Sequence, residues 1–109
     1  MELYHPSRDE IDLAAVLHAL SEPQRLQIVR LLAVQETPVP CGSLELGVAK
    51  STATHHFRVL REAGVVQQFR TGTSKLTVLR SADLEARFPG LLAVVLAPQA
   101  APANGALPA

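Results

Sequence analysis

The chain has no tryptophan, one tyrosine and three phenylalanines. A core without large rings has to be filled by Leu, Val, Ile and Ala, which suits packed helices better than a sandwich or barrel of aromatic-rich strands. The single cysteine, Cys41, leaves no partner for an intramolecular disulfide, as in a reducing compartment. No apolar run reaches the roughly 18 residues of a membrane span, and residues 1–10 are polar, without the apolar stretch of an export signal. These absences predict a cytoplasmic protein with no membrane partner. A chain of 109 residues is expected to hold one core.

Net charge is missing too, because ten basic and ten acidic residues cancel. A polyanion such as DNA draws on clustered Lys and Arg, so a neutral total at first argues against one. The distribution reverses that argument. Residues 1–49 carry three basic and seven acidic groups, whereas residues 50–80 carry six basic and one acidic, a net +5.

Asp9 precedes Leu13, Val16, Leu17 and Leu20 at helical spacing, which predicts a helix over 10–19 capped by Asp9 with that stripe facing the core. Ile11, Ala14, Ala15 and His18 form a second row beside it, more apolar surface than one core uses and a place for a partner subunit. Ser21, Pro23 and Gln24 give a capping box with Pro in the first turn, so a second helix is expected over 22–34. Its buried face is read as Leu26, Val29 and Ala33, with Ile28 and Leu32 beside them, and Pro38 and Pro40 close the region. Residues 41–46 read as a short, weak helix stopped by Gly47.

The stretch 50–64 is the most informative. On a helix, Ala53, His56, Phe57 and Leu60 make an inward stripe, and Gly64 stands where a left-handed terminal residue is wanted. The opposite face then presents Ser51, Thr54, His55 and Arg58, joined near the ends by Lys50, Thr52 and Arg61. Residues 65–70 and 75–79 are β-rich and flank a glycine-containing loop, a hairpin with Arg70, Thr73 and Lys75 around its tip. Ser81 is the expected cap of a last helical segment whose stripe is Leu84, Phe88, Leu91, Leu92 and Val95, interrupted at Pro89. The chain thus divides into a flexible arm over 1–9, one domain over 10–97, and an Ala/Pro tail over 98–109 without periodicity, read as disordered.

A short helix, a turn and a helix with a polar outer face, followed by a basic hairpin, is a layout that puts a helix in a major groove, where base edges differ in their donors and acceptors. Ser51, Thr54, His55 and Arg58 would read bases there, while Arg70 and Lys75 hold the backbone. Any solvated helix has a polar face. The conjunction of that face with a +5 segment and a basic hairpin, in sequence order, is what favours double-stranded DNA as the partner.

Residues 19–32 and 50–66 resemble the two signature stretches of the ArsR/SmtB regulators, and the likeness extends over about residues 10–97. It implies a mainly α fold with a β-hairpin wing, a winged helix-turn-helix that dimerises through its first and last helices. The implied dimer interface is Ile11, Ala14, Ala15, His18, Leu84, Phe88, Leu91, Leu92 and Val95. The implied function is that of a sequence-specific transcriptional regulator, a repressor binding an inverted-repeat operator as a homodimer, and not an enzyme. Three departures from the family pattern stand out: Ala49 replaces the usual Ser cap, the preceding helix is about one residue short, and Phe57 replaces a Leu.

Many members of that family sense metals through a Cys-x-Cys pair or through Asp, His and Glu on the last helix. This chain has neither, and one thiolate cannot supply the soft ligand set a thiophilic metal needs. The reading is therefore no cofactor and no metal response, with the effector unnamed. His56, on the inward edge, reads as structural. Two other readings stay open: a winged-helix module for protein contacts, whose distinguishing mark, an exposed apolar patch on the helix 50–64, the sequence does not show, and a redox- or ligand-responsive regulator acting through Cys41 or the dimer interface.

Overall fold

A computed structural model describes residues 3–98. The arm begins with a 3-10 turn at Arg8–Glu10, held by the Ser7 N–H donating to Glu10 Oε1 at 2.8 Å. The chain is extended at Ile11 and enters helix α1 (Leu13–Leu20) at Asp12, whose carboxylate accepts from Ala15 N at 3.1 Å. The cap is thus Asp12 rather than Asp9, because the turn at 8–10 is closed off separately. Residues 3–9, read from the sequence as a flexible arm, bury Pro6 and lie against the end of the third helix and the sheet. Of the tail 98–109, all but Pro98 lies outside the described residues.

Helix α2 (Pro23–Ala33) is capped by Glu22, which accepts from Gln24 N at 2.7 Å and Arg25 N at 3.1 Å. Ser21, the expected cap, instead donates its hydroxyl back to His18 O at 2.7 Å and closes α1. A carboxylate is the better partner for a positive helix end, so the longer acidic side chain takes the role. Val39–Pro40 forms strand β1, an edge position where Pro's missing N–H costs no ladder bond. A single 3-10 turn, Cys41–Ser43, stands where a short helix was expected, and irregular chain leads into α3 (Lys50–Ala63).

Helix α3 ends as its sequence predicts. Gly64 adopts φ 89°, Val65 N donates to Leu60 O and Gly64 N to Arg61 O, the paired bonds of a Schellman terminus. Strands β2 (Val66–Thr71) and β3 (Ser74–Leu79) form the hairpin around Gly72 and Thr73, and β1 joins on the far side of β3, giving the sheet order β1-β3-β2. Helix α4 (Ser81–Arg87) stops before Pro89, Gly90 turns with φ 87°, and α5 (Leu91–Leu96) follows.

The core lies between α1, α2, α3 and the sheet. Val16, Ala19 and Leu20 enter it from α1 and Ile28, Val29 and Leu32 from α2. Leu13 and Leu17, expected inside, are 42% and 49% exposed, so the face of α1 turned to solvent is Leu13, Ala14, Ala15, Leu17 and His18. The rotation follows from Ile11: lying before the helix, it plugs the core at 1% exposure and turns the buried edge towards Val16, Ala19 and Leu20. On α2, likewise, Leu26 is half-buried and Ala33 exposed.

Candidate nucleic-acid interface

Two buried polar ties hold α3 against the body. Arg25, 7% exposed, donates from Nε to Ala19 O at 2.6 Å, and its Nη1 lies 3.2 Å from His56 Nδ1. His56 Nε2 is 3.8 Å from Glu22 Oε2, so one cluster links the end of α1, the cap of α2 and the middle of α3. His56 therefore positions the helix, as its inward placement suggested. At the other end of α3, Arg61 donates from Nη1 to Gln68 Oε1 at 2.6 Å and from Nε to Tyr4 O at 3.2 Å. Gln68 in turn donates to Thr77 Oγ1 at 3.2 Å and to the Cys41 sulfur at 3.1 Å. A buried network with its members paired fixes geometry more sharply than apolar packing, because each donor left unpaired is costly.

This corrects one expectation: Arg61 is buried and its guanidinium is committed inside the molecule, so it is withdrawn from the DNA-facing set. The rest of the outer face stands where the helical period puts it. Lys50, Ser51, Thr52, Thr54, His55 and Arg58 are all exposed, and every exposed position on α3 is polar. Arg58 Nε is 3.9 Å from Glu62 Oε2, an exposed pair weak enough to exchange for a phosphate or a base. Ala49 makes no side-chain cap, so the N-terminal N–H groups of α3 are not met by a side chain of the capping residue.

The hairpin carries its charge at the tip. Arg70 stands directly opposite Lys75, one pair from the turn, with Thr73 exposed in the loop. Like charges opposed across a ladder are destabilising unless an anion lies between them. Further down the same face the pairs are Gln68 with Thr77, then Val66 with Leu79, all buried, so the face passes from basic tip to polar middle to apolar root.

The expected dimer residues divide. Ala14, Ala15 and His18 are exposed; Phe88, Leu91 and Val95 are half-buried. Ile11, Leu84 and Leu92 are buried in the chain's own core at 1%, 0% and 7% exposure, which corrects their placement on a subunit interface. The sequence reading missed Glu22, Arg25, Gln68 and Thr77 as supports. The signal for Arg25 was there: it lies i, i+3, i+4 and i+7 with Ile28, Val29 and Leu32, in line with the buried stripe.

Residues 22–68 match the model of the bacterial regulatory proteins of the arsR family. The chain is 35% identical over 81 residues to the uncharacterized HTH-type transcriptional regulator YceK of Bacillus subtilis, covering 72% of this chain and 81% of that one. It belongs to the ArsR family. Among solved structures it is similar to an ArsR-like transcriptional regulator from Rhodococcus sp. RHA1, with a TM-score of 0.60, 25% identity and coverage of 75% and 77% of the two chains. It is also similar to the transcriptional repressor BigR from Xylella fastidiosa, with a TM-score of 0.59, 30% identity and coverage of 80% and 88%. The ArsR-type chain is thus a winged helix-turn-helix, DNA-binding transcriptional regulator, and not an enzyme. No helix among the described residues is long and apolar enough to cross a membrane.

Among the described residues no three His, Cys, Asp or Glu side chains come together as a ligand set. The Cys41 sulfur lies 2.6 Å from Thr77 Oγ1 and accepts from Gln68 Nε2, and neither partner is a donor that a thiophilic metal selects.

Proposed function

We propose that this ArsR-family protein is a cytoplasmic repressor that binds an inverted-repeat operator as a homodimer and takes its signal from something other than a metal ion. The observation that carries the DNA-reading part is the wholly polar exposed face of α3, next in sequence to a hairpin whose tip opposes two cations. Ser51, Thr54, His55 and Arg58 have the donors and acceptors to read base edges; Lys50, Thr52, Arg70, Thr73 and Lys75 meet phosphates. The repressor role is supported by the likeness to the Xylella protein. The dimer is supported by the exposed Leu13 and Leu17 on α1 and by Val94 on α5, 76% exposed.

The test is a fluorescence anisotropy titration of a fragment from the region upstream of the protein's own coding sequence against a scrambled control, at two salt concentrations, with and without EDTA. Fragment-selective, salt-sensitive binding that EDTA leaves unchanged is expected. Equal affinity for both fragments, or loss of binding in EDTA, contradicts the proposal.

A further inference from the structure

A cavity of about 430 Å³ lies between the irregular segment that follows Cys41 and the start of α3. That volume is in the range of small-molecule sites. Leu44, Leu46, Val48, Ala53 and Phe57 give it apolar walls. Two further lining residues, Lys50 and Thr54, belong to the face of α3 that the proposed function assigns to DNA. No acidic side chain lines the cavity. The Cys41 thiol borders it but is engaged by Thr77 and Gln68, so the polar side-chain groups on offer are one ammonium and one hydroxyl.

We propose that this cavity binds a small, mainly apolar molecule bearing one anionic group, and that its occupant competes with DNA for Lys50 and Thr54. The chemistry follows from the lining. Apolar walls take a hydrocarbon or aromatic body, and a lone cationic side chain in the lining selects a carboxylate or sulfonate over a neutral or cationic head. An anion held by Lys50 withdraws that ammonium from a phosphate, and a body lying against Thr54 crowds the first turns of α3 where they enter a groove. The competition rests on the DNA reading of α3; the binding does not.

The probes are 8-anilinonaphthalene-1-sulfonate and its neutral counterpart N-phenyl-1-naphthylamine, titrated by fluorescence against the full chain without DNA. Saturable binding of the sulfonate at one site per chain is expected, with Lys50→Gln weakening it about tenfold and leaving the neutral dye unchanged. Ala53→Leu, which fills the cavity from α3, is expected to weaken both dyes about tenfold or more in a protein whose circular dichroism is unaltered. If neither dye binds, or if Lys50→Gln leaves the sulfonate's affinity as it was, the site is overturned; a dye on the exposed face of α1 gives that second result. Adding the upstream DNA fragment should displace the sulfonate. Retention of the dye on a complex that anisotropy shows to be formed overturns the competition, whereas failure of the fragment to bind the dye-free protein is a failure of the DNA reading alone.

Discussion

Gly64 answers two demands at once. Its φ of 89° is a conformation that side-chain-bearing residues adopt at a cost, and a Cβ placed there would lie 2.6 Å from Ile11 Cγ1. Gly64→Ala should therefore destabilise the fold by about 1–3 kcal/mol, the backbone strain being joined by displacement of Ile11 from the core. Chemical denaturation measures it; a loss under about 0.5 kcal/mol would contradict both the backbone strain and the displacement of Ile11. Asp83 makes a different prediction. The Arg8 guanidinium, donating at 2.7 Å, and then Arg80 at 2.8 Å hold its carboxyl below the ordinary value against an opposing effect of burial. A carboxyl depressed in the folded state contributes stability above its unfolded pKa and loses it as pH falls through the folded value, so stability should decline below about pH 4. Asp83→Asn should remove that part of the acid limb and cost less than about 1 kcal/mol at neutral pH, since Arg8 is half exposed. An acid limb identical in the two proteins, followed by circular dichroism, would contradict the assignment.

At the scale of elements, α3 and its glycine terminus were legible because a strong amphipathic period and a left-handed stop agree with each other. The hairpin was legible from its loop. What was not legible depends on contacts far apart in sequence. Strand β1 exists because β3 offers it an edge, and two residues carry no pattern of their own. Arg61 was misread because its i+7 relation to Thr54 puts it in line with exposed residues, while Gln68 on β2 and Tyr4 in the arm draw its guanidinium inward. The wing gives the prediction at this scale. Arg70→Ala and Lys75→Ala should each weaken binding to operator and to random DNA alike, and each should lower the slope of log affinity against log salt by about 1. An unchanged slope in both variants would place the wing away from the phosphates.

For the whole molecule, the surplus apolar surface read on the first helix is present, with Ala14, Ala15 and His18 of the expected row at the surface, but Ile11 is buried and Leu13 and Leu17, expected inside, join that surface. The exposed set that results, Leu13, Ala14, Ala15, Leu17 and His18, is the surface on which the proposed dimer depends. Leu17→Glu places a charge there without touching the core. It should shift the protein to monomer in sedimentation and weaken operator binding at least tenfold while leaving the far-ultraviolet spectrum unchanged, because one half-site cannot hold the complex alone. A variant that remains dimeric would move the interface elsewhere.

The division of labour between α3 and the wing is measured by the ratio of operator to random-DNA affinity in single variants at one salt concentration. His55→Ala and Arg58→Ala should each reduce that ratio by about 1–3 kcal/mol, while Arg70→Ala and Lys75→Ala leave it unchanged. If all four variants lose affinity for operator and random DNA in equal measure, the outer face of α3 does not read bases, and the central claim is wrong.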